Sequence, residues 1–339
     1  MTTQLGAIAM RIYRQRFLKD FLVAIASITL AATWTGQALA QANSQGPIKL
    51  VVPFAPGGGV DIAARLIGKQ LSSNLGTTVI VENRAGASGT VGGKAVQTAA
   101  ADGQTLLFTA STHVLAKEVL KSAPYDPVAD FQAIARVAEA PLMMVISPNL
   151  PQKNVKEVLD AAKQNPDKWT AALPALGAAS HVGTLMFAKQ GNVKLTTTAY
   201  RGTAPALTDV AGGHAQILVD SIISIMPMAK EGRVRPIAVT SAKRMGMAPD
   251  VPTAAESGFP DMVYYSWYGV WAPKGLAADK AKFLNEAFNT AVKDLAKAGT
   301  FTPLGILPVT EDIPQFQQFI NNDVKRSAEL LRGSGFKAE

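Results

Sequence analysis

The residues best placed to do chemistry in this chain are glycines. Val51 to Leu71 reads VVPFAPGGGVDIAARLIGKQL, a β-branched run that ends in three glycines, an aspartate and an amphipathic stretch. A strand that passes into a helix through glycines leaves free backbone amides at the helix N-terminus, where an anion can be held. Gly57, Gly58 and Gly59 permit close backbone approach and positive φ, and Asp61 is placed to cap the helix. Taken alone, the loop reads equally well as a tight turn that holds nothing.

Nucleotide chemistry fails on spacing. A Walker loop ends in G-K-[ST], whereas Val60 and Asp61 follow Gly59, and a dinucleotide fingerprint begun at Gly57 would need glycine where Ile62 stands. The chain has no cysteine, which excludes thiolate catalysis, cysteine-ligated metals and disulfides. Its three histidines, His113, His181 and His214, show no paired metal-binding spacing. Ser88 in GASG misses the G-x-S-x-G elbow by one residue, and nothing else marks a Ser-His-Asp triad. No catalytic residue, metal ligand or cofactor is assigned.

Loops placed like the first one recur. STHVL follows TLLFTA, GAASHVG follows KWTAAL, YRGTAPAL follows TTTA, and VDSIIS ends another apolar run. Ser111, Thr112, Ser180 and Thr203 fall where strand gives way to helix. If these strand ends face one another across a cleft, their amides converge on one anion-sized space.

The elements that must position these loops alternate. Strands are expected at PIKLVVPF, Thr77–Asn83, Thr105–Ala110, Leu142–Pro148, KWTAAL, TTTAY, Gln216–Ser221 and Arg235–Ser241, with single helices between most of them. The helix from about Asp61 to Leu71 sets Ile62, Leu66 and Ile67 on one face, and APALTDVAGG closes on Gly212 and Gly213. Two longer helices flank TPLGILPV near the C-terminus. This is an α/β pattern with parallel strands that restarts once, in 339 residues, more than one core usually absorbs. YYSWYGVWAP, the densest aromatic stretch, reads as a strand at the return crossing between two modules rather than as a stacking surface, with Trp267 the residue to watch.

The first forty residues stand apart. Arg11, Arg14, Arg16 and Lys19 precede the uncharged FLVAIASITLAA, and Ala38-Leu39-Ala40 supplies a cleavage site before Gln41. Residues 1–40 are therefore expected to be a cleaved signal peptide leading to the periplasm, by the Sec route rather than Tat because Gln15 separates the arginines. Translation starting at Met10 would serve equally. Without that segment the chain keeps 29 basic and 24 acidic residues, too mild an excess for a nucleic-acid groove.

PFAPGGGVD, ENRAGASGTVGG, ADGQTLLF, YDPVADF, ASHVG, YRGTAPALTDVAGG, VRPIAVTSAKR and PDVPTAAESGFP occur in an order that resembles the Bug proteins, the periplasmic solute-binding receptors of the tripartite tricarboxylate transporter family (TctC-like). The resemblance spans about Pro47 to the C-terminus. It implies a type II periplasmic-binding-protein-like Venus flytrap with two α/β lobes, residues 46–145 plus 263–339 and residues 146–262, and a ligand cleft between them. A small carboxylic acid would be held by two loops, through amides, hydroxyls and water, without an arginine clamp. The ligand-binding residues carried over are Phe54, Ala55, Pro56, Gly57, Gly58, Gly59 and Asp61 on the first lobe, with Ser111, Thr112 and His113 near the mouth. On the second lobe they are Ala179, Ser180, His181, Tyr200, Arg201, Gly202 and Asp220. Arg201 replaces the usual lysine, and its fork could grip an acid or form an ion pair between lobes. Ala178 and Ala179 remove possible hydroxyl donors, and Ala85 stands where proline is usual. The expected partners are the acid and the membrane subunits of such a transporter, with no nucleic acid and a monomeric protein. A ligand sensor that signals through a protein is the alternative, and an α/β hydrolase a weaker one.

Overall fold

Strand β1 (Ile48–Val52), helix α1 (Gly59–Leu75), strand β2 (Val79–Asn83), helix α2 (Thr90–Gln97) and strand β3 (Thr105–Ala110) form two successive β-α-β units in a computed structural model that describes residues 46–339. The segment read as a signal peptide lies outside the described residues. β1 pairs in parallel with both β2 and β3, which is why IKLVV carries no polar alternation: β1 is central and covered on both faces. α1 buries Ala63, Ala64, Ile67 and Leu71 and stops at Gly76, whose φ of 64° turns its N–H back to Ser72 O. Two single helical turns, Ser111–Val114 and Ala116–Val119, follow β3.

Strand β4 (Phe131–Ile146) then leaves this lobe and enters the second. The second lobe holds helix α3 (Val155–Gln164), strand β5 (Thr170–Leu173), helix α4 (Ala179–Gly191), strand β6 (Thr196–Ala199), helix α5 (Thr203–Gly212), strand β7 (Ile217–Ser221), helix α6 (Ile222–Lys230) and strand β8 (Arg235–Val239). β5 lies parallel to β6 and β7, while β7 and β8 run antiparallel to the end of β4. Strand β9 (Tyr265–Pro273) returns the chain, antiparallel to β3 on one side and to β4 on the other. Helix α7 (Ala278–Lys297), strand β10 (Leu307–Pro308) and helix α8 (Ile313–Gly333) complete the chain, α8 starting from a capping box of Asp312 and Gln315.

Most expected strands appear where the apolar runs are, but β4 is longer than Leu142–Pro148. Its first part, FQAIARVAEA, is rich in alanine and charged residues of low strand preference, and pairing with β9 makes it a strand. Two register shifts, at Ala133/Ala135 and Arg136/Ala138, bend it there. Among the described residues no helix is long and apolar enough to cross a membrane.

Candidate ligand-binding site

Strand ends and helix starts from both lobes meet at one small cavity of about 40 Å³. In the same measure a water needs about 10–15 Å³, so the space holds a few waters. Gly58, Gly59 and Val60 open α1, Ala178 and Ala179 open α4, Gly202 and Thr203 open α5, and Asp220 and Ser221 lead into α6; all of them line it. None of these four helices has a side chain capping its first turn. Away from the cavity, α3 and α8 are capped by Asn154 and Asp312, while α2 and α7 also lack a side-chain cap, so it is the convergence of four starts, not the missing cap alone, that sets the cavity apart. Uncapped first turns leave backbone N–H groups and the positive ends of four helix dipoles converging on one point.

The glycine loop is held from behind. The N-cap of α1 is Gly58, not Asp61, which corrects the expected cap: Asp61 sits one turn in and reaches back. Its carboxylate accepts from Gly57 N–H at 2.9 Å, Asn83 Nδ2 at 2.9 Å and Arg65 Nε at 3.1 Å, and Asn83 Nδ2 also donates to Phe54 O at 3.0 Å. Burial disfavours its charge, but Arg65, the Gly57 amide and Asn83 outweigh that and hold its pKa below the usual carboxylate value. Asp61→Ala is expected to lower stability by about 1–3 kcal/mol and to weaken binding through loop disorder. A melting curve and a titration on the same sample check this: unchanged melting with lost affinity would point to direct contact instead.

Of the residues expected to bind, Phe54, Gly58, Gly59, Thr112, Ala179, Gly202 and Asp220 line the cavity. Ala55, Pro56, Gly57, Asp61, Ser111, Ser180, His181, Tyr200 and Arg201 stand outside that lining. Arg201 contributes its carbonyl, which accepts from Ala55 N at 3.1 Å across the lobes, while its side chain is exposed. Tyr200 donates to Asp209 Oδ2 at 2.7 Å. His181 Nδ1 accepts from Gly177 N at 3.2 Å, its ring meets Phe336, and burial drives its pKa down to about 4, so it is a neutral brace for the second loop. His113 is packed among Tyr125, Phe131 and Trp271 and is held neutral by burial. Trp267 points away from the cavity and donates to Asp323 Oδ2 at 3.1 Å.

Three polar residues of the lining, Ser221, Ser266 and Tyr268, carry no sequence signal as ligand contacts, and Thr203, marked only as a hydroxyl at a strand-to-helix junction, joins them. Thr203 Oγ1 donates to Asp220 Oδ2 at 2.6 Å and Tyr268 Oη donates to Ser221 Oγ at 2.8 Å. Among the described residues no lysine, arginine or histidine lines the cavity. Asp220 is buried, and that burial, against the bonds from Thr203 and the Ser221 amide, pushes its carboxyl up to about 6. Among the described residues no cluster of three or more potential ligands could hold a metal ion.

The loops also touch each other. Ser88 Oγ accepts from Leu176 N at 3.3 Å, and Ser111 Oγ donates to Gly177 O at 3.5 Å. Ala87 and Ser88 both have positive φ, 45° and 50°, a costly conformation for residues with a Cβ. Ser88→Ala keeps that backbone but removes the acceptor. It is expected to weaken ligand affinity two- to tenfold by about 0.5–1.5 kcal/mol of lost closed-form stabilisation, visible as a faster off-rate; an unchanged off-rate would show that the contact does not hold the lobes together.

Two α/β lobes joined through β4 and β9, with uncapped helix starts facing a shared cavity, define the class of two-lobed periplasmic binding proteins. The chain belongs, more narrowly, to the tripartite tricarboxylate transporter family receptors (TctC), whose sequence profile matches residues 63–336. Among solved structures it is similar to the periplasmic binding protein BugD, at 32% identity and a TM-score of 0.82 over 87% of this chain and 99% of that one. It is also similar to Rpa4515 of R. palustris, solved with adipate, at 29% identity and a TM-score of 0.84 over 87% and 99% of the two chains. A third, MatC from Rhodopseudomonas palustris with bound malate, is 29% identical with a TM-score of 0.79 over 85% and 99%.

Proposed function

We propose that this protein is a non-enzymatic periplasmic receptor that encloses a small carboxylic acid between its lobes and delivers it to the membrane subunits of a tripartite tricarboxylate-type transporter. The observation that carries the reading is the convergence of four uncapped helix N-termini on one cavity without a basic side chain. Such a site stabilises a carboxylate by fixed amides and dipoles, with no lysine or arginine to favour phosphate. Adipate and malate in the two R. palustris structures are acids of this kind. Residues 46–145 with 263–339, and 146–262, would be the two lobes, with β4 and β9 as the hinge about which they close. Residues 1–40 would direct export by the Sec route and be removed, and the mature receptor would act as a monomer.

A thermal-shift screen of ligand-stripped, refolded protein against carboxylic acids tests the reading. At a hundred times its dissociation constant a ligand adds about 2.7 kcal/mol, a shift of several degrees. A flat response across a wide panel of acids would sink it.

A further inference from the structure

Asp220 gives the cavity a second polarity. The loop amides of Gly58 and Gly59 attract an anion, yet Thr203 Oγ1, 2.6 Å from Asp220 Oδ2, lies 3.3 Å from where a Cβ on Gly58 would stand. The anion seat and the carboxyl of Asp220 therefore share one small space. Two donors serve that carboxyl, the Thr203 hydroxyl and the Ser221 amide, and both are neutral. A carboxylate has about four acceptor positions. Among the described residues no cation lines the cavity, and the titratable group facing Asp220 is the Tyr268 phenol from β9; the β4 neighbour of Asp220 in register is Met143. An acid bound at the helix starts would meet a like charge here unless it brought its own positive charge.

Building on the carboxylate reading above, we propose that Asp220 selects acids that carry a protonated nitrogen beside the carboxylate, so that amino acids and related zwitterions are preferred to plain acids. The ligand carboxylate would take the amides of α1 and α4 while its ammonium group donates to Asp220. Burial of the carboxyl in a cavity without a counter-charge is what makes the preference large, since the ion pair forms away from water.

The test uses two matched sets of probes in calorimetry, propionate, lactate and alanine, and succinate, malate and aspartate. Within a set, C2 carries hydrogen, hydroxyl or ammonium. The wild-type protein is expected to bind the ammonium member of at least one set tenfold or more tightly than the unsubstituted acid. Asp220→Asn should cost that member tenfold or more relative to the unsubstituted acid, so that the preference within the set is lost. Equal affinity across a set, or proton uptake on binding the unsubstituted acid, overturns the inference and leaves the carboxylate reading standing. Equal weakening of all members by Asp220→Asn would make Asp220 a positioning residue for Thr203 and also overturns it. If no probe of either set binds to refolded protein, the inference falls, and the wider acid screen then decides the carboxylate reading separately.

Discussion

Gly59→Val is expected to abolish ligand binding, at least a hundredfold in affinity, while the far-UV dichroism spectrum stays that of the native protein. A Cβ on Gly59 would sit 2.7 Å from Tyr268 Oη, closer than any relaxed contact, and a tight 3.2 Å from Ser221 Oγ. Ser221 belongs to the second lobe and Tyr268 to the crossing strand β9, so the extra atoms act as a wedge between bodies that must approach. Both neighbours are buried, with Tyr268 closed in by its bond to Ser221. Relief therefore comes from opening the lobes rather than from turning a side chain outward. Gly58→Ala provides the graded control, because its Cβ would meet Thr203 Oγ1 at 3.3 Å, tight but accommodated by a small shift. The expected order in calorimetry is wild type, Gly58→Ala, then Gly59→Val with no measurable binding. Normal affinity in Gly59→Val would mean that the ligand does not sit at the start of α1.

The start of α1 was legible in the sequence because its signals are local. A β-branched run, glycines and an amphipathic repeat lie within twenty residues, and the strand TLLFTA was likewise marked by its own apolar residues. Side chains on β9 show where local signals end. Alternation in YSWYG puts Ser266 and Tyr268 on one face and Trp267 on the other. Which face meets the cavity is fixed only by pairing with β3 and β4, contacts more than a hundred residues apart. Arg201 shows a different limit. Its side chain is the conspicuous feature in sequence, but the structure uses its carbonyl, and a carbonyl is the same in every residue. The first part of β4 was invisible for a third reason: alanine, glutamate and arginine have little strand preference, and the partners that impose it lie far along the chain. Family resemblance supplied the two lobes and the loops; it did not supply the chemistry of the cavity wall, which depends on Thr203, Ser221 and Tyr268 closing around Asp220.

Replacing Asp220 by asparagine is expected to stabilise the unliganded protein near neutral pH and to leave it unchanged in acid. The sign follows from where the proton is held. Burial raises the folded pKa of Asp220 to about 6, above its unfolded value of 3.8. Between those values the folded protein binds the proton more tightly than the unfolded chain does. The stabilisation this brings is fully present below about pH 4 and is lost as pH rises through 6. Above pH 6 the buried carboxylate costs about 3 kcal/mol relative to a group with no shift. Asparagine keeps the shape and the bond to the Ser221 amide and never ionises. The gap in melting temperature between Asp220→Asn and wild type should therefore be near zero at pH 4 and reach roughly 6 °C by pH 7.5. The groups around Asp220 do not titrate in this range: Thr203 and Ser221 are neutral hydroxyls, Met143 is apolar, and burial holds the Tyr268 phenol far above it. A gap that does not change with pH would mean that the helix starts already compensate the charge, as their dipoles favour an anion. The carboxylate would then need nothing from a ligand. A gap that opens through pH 6 and closes again when alanine or aspartate is added would show a destabilising charge in the empty receptor that is neutralised by the ligand it selects.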